Sequence, residues 1–394
     1  MRKPSPALLA LGASALAALS AGRAQAQPDG NDTQVDYRYS AYREDALPQD
    51  RVVAGTGERY AVDTHQFRLV QTAGETTTLS ADLTLETMSG ASPRFVQPDA
   101  DGNPVQVMSG ASIEDKRGDL QVSMKRAKAG RSATLSLGYS GEEDYSAING
   151  AVEGGFELDD RMTTLSFGLG YSDDTIDPSQ GMTPTGTLHD KRSAATVYGS
   201  YARVLDAVTA VQTTVSFTAH DGYLGDPYKE AWIVNAANTV PDARPDGRQQ
   251  VSWLTRLRRF FKGADAALHA DYRYYHDDWE VDAHTVDLAW HQNFGAMLRV
   301  APGVRWYSQS QAFFYEPFYN APRSDGFASS DYRLSPYGAV SANLSATWDF
   351  DGWNAGLRYE RYESSPDYAL GKVAVENPGL VDFDVASLSV QARF

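Results

Sequence analysis

The stretch LVDFDVASLSVQARF, Leu380 to Phe394, decides how the rest of the chain is read. Counted back from the end, Phe394, Ala392, Val390, Leu388 and Ala386 fall on one face of an extended strand, and Arg393, Gln391, Ser389 and Ser387 on the other. Alternation with period two describes a strand with one apolar and one wet face. Such a strand suits a soluble sheet as well as a membrane barrel, so the remaining sequence has to separate the two.

Residues 1–26 stand apart. Arg2 and Lys3 precede an apolar run from Ala7 to Leu19, and Ala24-Gln25-Ala26 is a small-residue cleavage signal. That order is a secretory signal peptide, with the mature chain expected to start at Gln27 and 27–34 as a short periplasmic segment. The chain has no Cys, so disulfides, thiolate metal sites and a lipidated cysteine are excluded. No later window holds eighteen apolar residues, which rules out a membrane helix. Without the first 26 residues, 32 basic face 51 acidic residues, a net charge near −19 that argues against nucleic acid as a partner.

Parity divides residues 35–394 into sixteen candidate strands: 35–42, 61–71, 77–87, 116–126, 133–139, 150–158, 163–171, 193–202, 209–219, 251–259, 266–275, 283–292, 298–308, 332–346, 355–362 and the closing one. Each has about the length of a tilted membrane-spanning strand. Links from even to odd strands are short and built of turn residues, such as Thr72-Ala73-Gly74-Glu75, Asp159-Asp160 and Lys262-Gly263-Ala264-Asp265. Most odd-to-even links are long: 90–112, 172–190, 221–249, 309–330 and 363–379. Short turns at one end and long loops at the other are the outer-membrane pattern, with the long loops outside the cell. An all-β, antiparallel transmembrane barrel follows, with fourteen or eighteen strands as the fallback counts. Outward-running strands end in an aromatic on the apolar face, namely Tyr39, Tyr139, Tyr171, Tyr274, Trp306 and Tyr359, which suits a girdle at the membrane boundary.

With the barrel read from the residues, the closing strand resembles the last strand of bacterial outer-membrane barrels. In those, a terminal aromatic is read by the barrel-assembly machinery, which would make Phe394 an assembly signal. The runs SADLTLETMSGAS (80–92), LHADYRYYHDDW (268–279) and SSDYRLSPYG (329–338) are similar to those of a bacterial family known only as a domain of unknown function. The resemblance covers nearly the whole mature chain. It implies an outer-membrane barrel in contact with outer-membrane lipid and brings no activity, ligand, cofactor or catalytic residue.

Three groups of residues could carry function. By parity Asp36, Arg38, Asp271, Arg273, Asp287, Arg305, Arg333, Arg358, Glu360 and Arg393 point into the lumen. Arginines facing carboxylates would set up a transverse field that orients charged solutes, or they would neutralise one another and brace the wall. His189-Asp190, His220-Asp221 and His276-Asp277-Asp278 lie at outer strand ends, and His269, His284 and His291 share one hairpin. His beside Asp suits metal or acid–base work, yet Asp is common wherever a strand ends, so no metal site or catalytic residue is assigned. Gly138-Tyr139-Ser140-Gly141 falls short of a nucleophile elbow.

The loops are the third group. The third link, 141–149, is too short to fold inward as it does in general porins. Asp226-Pro227 before Tyr228 to Ala237 reads as a capped helix, and Gln311 to Pro322 is rich in Phe and Tyr, too apolar for a freely solvated loop. The pentapeptide MSGAS occurs at 88–92 and again at 108–112, as two similar turns around the second loop. The expected function is a passive channel for small hydrophilic solutes narrowed by loops 221–249 and 309–330. The alternatives are a closed barrel acting as surface receptor or periplasmic scaffold and, less favoured, a barrel enzyme using a rim His-Asp pair.

Overall fold

A computed structural model describes residues 32–109, 113–158, 161–178 and 188–394. The expected signal peptide, residues 27–31, the Asp159-Asp160 link and the end of the second MSGAS lie outside them. Sixteen antiparallel strands close into one barrel. We number them β1 (Thr33–Glu44), β2 (Ala61–Ala73), β3 (Thr77–Gly90), β4 (Ile113–Lys128), β5 (Arg131–Gly141), β6 (Tyr145–Glu157), β7 (Thr163–Ile176) and β8 (Asp190–Asp206). The second half is β9 (Thr209–Gly222), β10 (Gly247–Phe261), β11 (Ala266–Asp277), β12 (Asp282–Phe294), β13 (Leu298–Gln309), β14 (Tyr337–Phe350), β15 (Trp353–Ser365) and β16 (Phe383–Arg393). Every strand pairs with its sequence neighbours, and β16 returns to β1, opposing Tyr37 to Val390 and Tyr39 to Leu388. Closure removes the exposed edges, so the backbone groups pair strand to strand all round. Beyond β16, Phe394 and Thr33 exchange backbone hydrogen bonds of 2.9 and 3.1 Å across the seam.

The apolar parity faces outward, where Leu357, Leu388, Val390, Leu169 and Leu137 are exposed as a membrane-facing surface. The seven even-to-odd links hold five residues or fewer. In the β14–β15 turn Gly352 takes a φ of +78°, a left-handed conformation a side chain would strain.

Three readings of detail differ from the structure. The fourteenth strand starts at Tyr337, because the Asp331 side chain accepts the Arg333 N–H and turns Tyr332–Leu334 into a 3-10 helix. Residues 228–237 are not a helix. Asp226 does accept the Tyr228 N–H at 3.1 Å, but the chain then forms a hairpin of Glu230–Ile233 and Asn238–Pro241. The β-propensity of Trp232 and Ile233, with Thr239 and Val240 opposite, outweighs the cap signal. The third link shrinks to 142–144 because β5 and β6 run on to Gly141 and Tyr145.

Among the described residues, the largest buried apolar clusters lie at the loop end of the barrel. Trp279, Val281, Ala312, Phe314, Tyr315 and Leu334 form one cluster, with Phe314 at 0% exposure. Ala231, Ile233, Tyr319 and Ala328 form a second, joining loop 5 (223–246) to loop 7 (310–336). The two MSGAS copies meet: Ser109 N–H donates to the Ser92 carbonyl at 2.8 Å and Ser92 N–H to the Ser109 hydroxyl at 2.9 Å. They tie the base of loop 2 (91–112). Gly90 seats that base at a φ of +130°, where a Cβ would lie 2.4 Å from the Arg59 carbonyl oxygen.

Candidate functional site: lumen wall and outer cap

The lumen face is polar on every strand and carries partly exposed ion pairs. Asp287 and Arg305 oppose each other on β12 and β13 and pair at 2.7 Å, with side chains 38% and 49% exposed. Arg358 reaches Glu360 at 2.8 Å, and Glu360 also accepts the Ser341 hydroxyl at 2.9 Å. Asp271 accepts both terminal nitrogens of Arg258, one of them at 3.0 Å, and lies 3.6 Å from Arg256. Arg273 stands two residues along β11 on the same face. Asp36 accepts the Gln34 amide at 2.8 Å. Arg38 is exposed and sits opposite Ser389, while Arg358 sits opposite Ser387, so the two arginines flank β16. Arg393 lies at the periplasmic end beside Gln34.

Arg333 is elsewhere. It belongs to loop 7, in a buried ionic cluster with Asp226, Lys229, Asp242, Arg244 and Asp331. Arg333 Nε donates to Asp331 at 2.8 Å and Nη2 to Asp226 at 2.9 Å. Arg244 bridges Asp242 at 2.7 Å and Asp331 at 2.9 Å. Burial opposes the charge on Asp331, but Arg333, Lys229 and Arg244 outweigh it and hold the carboxyl well below the usual range. Burial dominates at Asp226, whose carboxyl is pushed up despite Lys229 and Arg333. Three acids and three bases balance, which is what lets the cluster stay buried.

This cluster sits where loops from opposite walls meet. Between loops 2 and 5, Arg94 pairs with Glu230 at 2.5 Å, Phe95 stacks on Trp232 at 6.0 Å between centroids, and Lys229 donates to the Pro93 carbonyl at 3.2 Å. Asn377 of loop 8 (366–382) donates to the Tyr315 hydroxyl at 2.9 Å and the Ser330 carbonyl at 3.0 Å. Arg51 of loop 1 (45–60) pairs with Glu376 at 2.7 Å. Five loops thus form one cap across the outer mouth. The tyrosine-rich segment of loop 7 is its core.

The girdle aromatics lie on the outward face toward the capped end. Tyr39 donates to Asp63 at 2.6 Å, Tyr274 to Asp282 at 2.6 Å, Tyr359 to Asp384 at 2.5 Å, and Trp306 to the Tyr368 carbonyl at 2.9 Å. Tyr139 and Tyr171 are more than half exposed there. Phe394 is 79% exposed. The histidines do not assemble as their dipeptides suggested. His189 lies 3.6 Å from Asp177, and His276 pairs with Asp282 at 3.0 Å rather than with its neighbours. The rings of His269 and His291 meet on the lumen face, tilted at 38° with centroids 4.0 Å apart, while His284 faces outward against Tyr272.

Sequence reading missed Arg256, Arg258 and Arg299 on the wall, and Lys229 and Arg244 in the cap. Parity on β10 and β13 carried a signal for the first three; for the cap pair no local pattern did. It also missed an acidic trio at the rim. Oxygens of Asp115, Glu142 and Asp144 all lie within 4.8 Å of one another. Burial, added to by the neighbouring carboxylates, pushes Glu142 up to about 9, and burial pushes Asp144 up to about 6.

Among solved structures, a bacterial polysaccharide outer-membrane secretin aligns over 94% of this chain and 100% of its own, with 8% identity and a TM-score of 0.51. A mutant ferric enterobactin receptor (PfeA) from Pseudomonas aeruginosa covers 90% of this chain at 12% identity and a TM-score of 0.46. The siderophore receptor PirA from Acinetobacter baumannii covers 86% at 9% and 0.45. This chain spans only 59% and 53% of those two receptors' lengths. The shared feature is the fold, an outer-membrane β-barrel. No curated protein matches the sequence. A family profile described as "Protein of unknown function (DUF3570)" matches residues 7–189 and 179–382, and the chain belongs to that family.

Proposed function

We propose that this protein is a passive channel of the bacterial outer membrane for small hydrophilic solutes, narrowed by its outer cap. The observation that carries the reading is the contrast between the two ends of the lumen. Charged wall residues such as Arg38, Arg305 and Arg358 are exposed to the lumen, while loops 5 and 7 meet loops 1, 2 and 8 over the mouth. A sixteen-stranded barrel is wide enough to hold water, so the resistance to passage lies in the cap. Single-channel recording in planar bilayers tests this. The refolded parent should show small steps, and a variant with residues 227–243 replaced by a short Gly-Ser linker should show larger ones. Two silent, correctly folded proteins would refute the channel. A second reading, a closed receptor or scaffold, draws on the buried contacts between Phe95 and Trp232 and around Asp331, which join loops across the mouth.

A further inference from the structure

The lumen is not evenly charged. On the inward parity of β10 to β13 stand Arg248, Arg256, Arg258, Arg273, Arg299 and Arg305 against only Asp271, Asp277 and Asp287. This is a reversal of sign in a chain with 51 acidic and 35 basic residues. The three aspartates are each taken by one arginine: Arg248 holds Asp277 at 2.5 Å, Arg258 holds Asp271, and Arg305 holds Asp287. Three guanidinium groups remain. Arg256 reaches Asp271 only at 3.6 Å, and its Nε is buried without a hydrogen-bond partner. Arg299 donates to the neutral Asn293 side chain at 3.1 Å. Among the described residues, no carboxylate lies within ion-pair distance of Arg273 or Arg299.

The register brings these groups together. Arg256 opposes Asp271, Asp271 opposes Asp287, and Asp287 opposes Arg305, so Arg256 and Arg305 lie on either side of the strand that carries Arg273. At about 4.8 Å between strands and roughly 7 Å between same-face neighbours, the three share a patch about 15 Å across. Arg256 and Arg305 act on Arg273 with like charge, offset in part by Asp287 and Asp271. Below them the rings of His269 and His291 lie against each other beside Arg258 and Arg299. Across the lumen, β3, β4 and β6 present Asp82, Glu86, Asp119 and Glu153. Guanidinium groups with unused N–H donors, crowded by their own kind, match a carboxylate or phosphate, which takes two N–H bonds from each fork and relieves the repulsion.

We infer that the β10–β13 wall is a recognition surface for small oxyanions, carboxylate or phosphate compounds, with Arg256 and Arg273 as the receiving groups. The inference rests on the channel reading and names the class of solute it passes. A multiply charged oxyanion gains most, because the surplus charges are spaced to meet more than one acidic group.

The test is the reversal potential of single channels in a potassium chloride gradient, with inorganic pyrophosphate then added as a blocker. The parent is expected to prefer chloride, with its current blocked by pyrophosphate. Arg256→Gln with Arg273→Gln should lower the chloride preference about threefold and relieve the block. A heat-modifiable gel mobility like the parent's shows that the pair of changes leaves the barrel folded. A cation-selective parent, or a double variant indistinguishable from it, overturns the inference. If the parent is silent, the channel reading fails and calorimetric titration with pyrophosphate decides the wall alone. Binding heat that disappears in the double variant upholds the surface, and its absence in the parent refutes it.

Discussion

The Asp287–Arg305 pair on the wall and the Asp331 cluster in the cap use the same chemistry in opposite surroundings. The wall pair is 38% and 49% exposed, whereas Asp331 and Asp242 have side chains at 0% and Arg244 at 10%. In water an ion pair is worth little, and either partner can be lost without stranding the other. In the cap every charge depends on its partners, since removing one leaves another buried without compensation. The wall is therefore a surface whose charges can be changed one at a time at little cost to the fold. The cap is a small core whose charges fix loop positions.

The sharpest way to break that contrast is Asp331→Ala, which strands Arg333, Arg244 and Lys229. The expected cost to the cap is about 3–5 kcal/mol, read as rapid proteolysis of loops 5 and 7 while heat-modifiable gel mobility persists. Resistance equal to the parent's would mean the cluster does not hold the loops. Next comes Phe314→Ala, expected to cost about 3 kcal/mol or more through the cavity it leaves, again seen only in the loops. Asp287→Ala on the wall is expected to cost under about 1 kcal/mol and to leave loop proteolysis unchanged.

Acidity sharpens the comparison from another side. Asp331 has a depressed carboxyl, so its contribution is present above the unfolded carboxylate range and is lost as pH falls through its low folded value. Glu142 has the opposite sign. With its carboxyl raised to about 9, its contribution is full below the unfolded value and declines as pH rises toward 9. Hydrogen-exchange protection of the third link, 142–144, corrected for the intrinsic rate, should fall between pH 5 and pH 9, and Glu142→Gln should flatten that dependence. A loop equally protected at both pH values would contradict the raised carboxyl. The smallest expected effect is Phe394→Ala, which removes the ring and keeps the backbone bonds to Thr33. At 79% exposure the ring packs against little, so stability in detergent should hardly change while outer-membrane levels fall.

The barrel was legible because its rules are local. Parity in stretches such as Leu79-Ser80-Ala81-Asp82-Leu83 and turn residues such as Asp351-Gly352 mark strand and turn without knowledge of distant contacts. The cap was not, because it is made of contacts between loops far apart in the chain. Phe95 meets Trp232, and Asp226 meets Arg333, 107 residues away. Arg333 shows the limit best. Its parity suits a wall strand, but Asp331 and Pro336 on either side turn the chain into a buried helix turn. Asp226 announced a turn correctly and said nothing about the hairpin after it. The wall was legible in part: Arg273 and Arg305 were visible by parity, and their imbalance emerged only when the register set β10 beside β11.

A water-filled lumen under a loop cap makes a definite prediction for thiol accessibility in cells. The chain has no cysteine, so Ser389→Cys on the inner face of β16 gives a single reporter. A small membrane-impermeant thiosulfonate added outside should modify it, and a polymer-linked maleimide should not until residues 227–243 are replaced by the short linker. Equal modification by both reagents in the parent would contradict the cap. Failure of both, with reaction only after unfolding, would contradict the wet lumen.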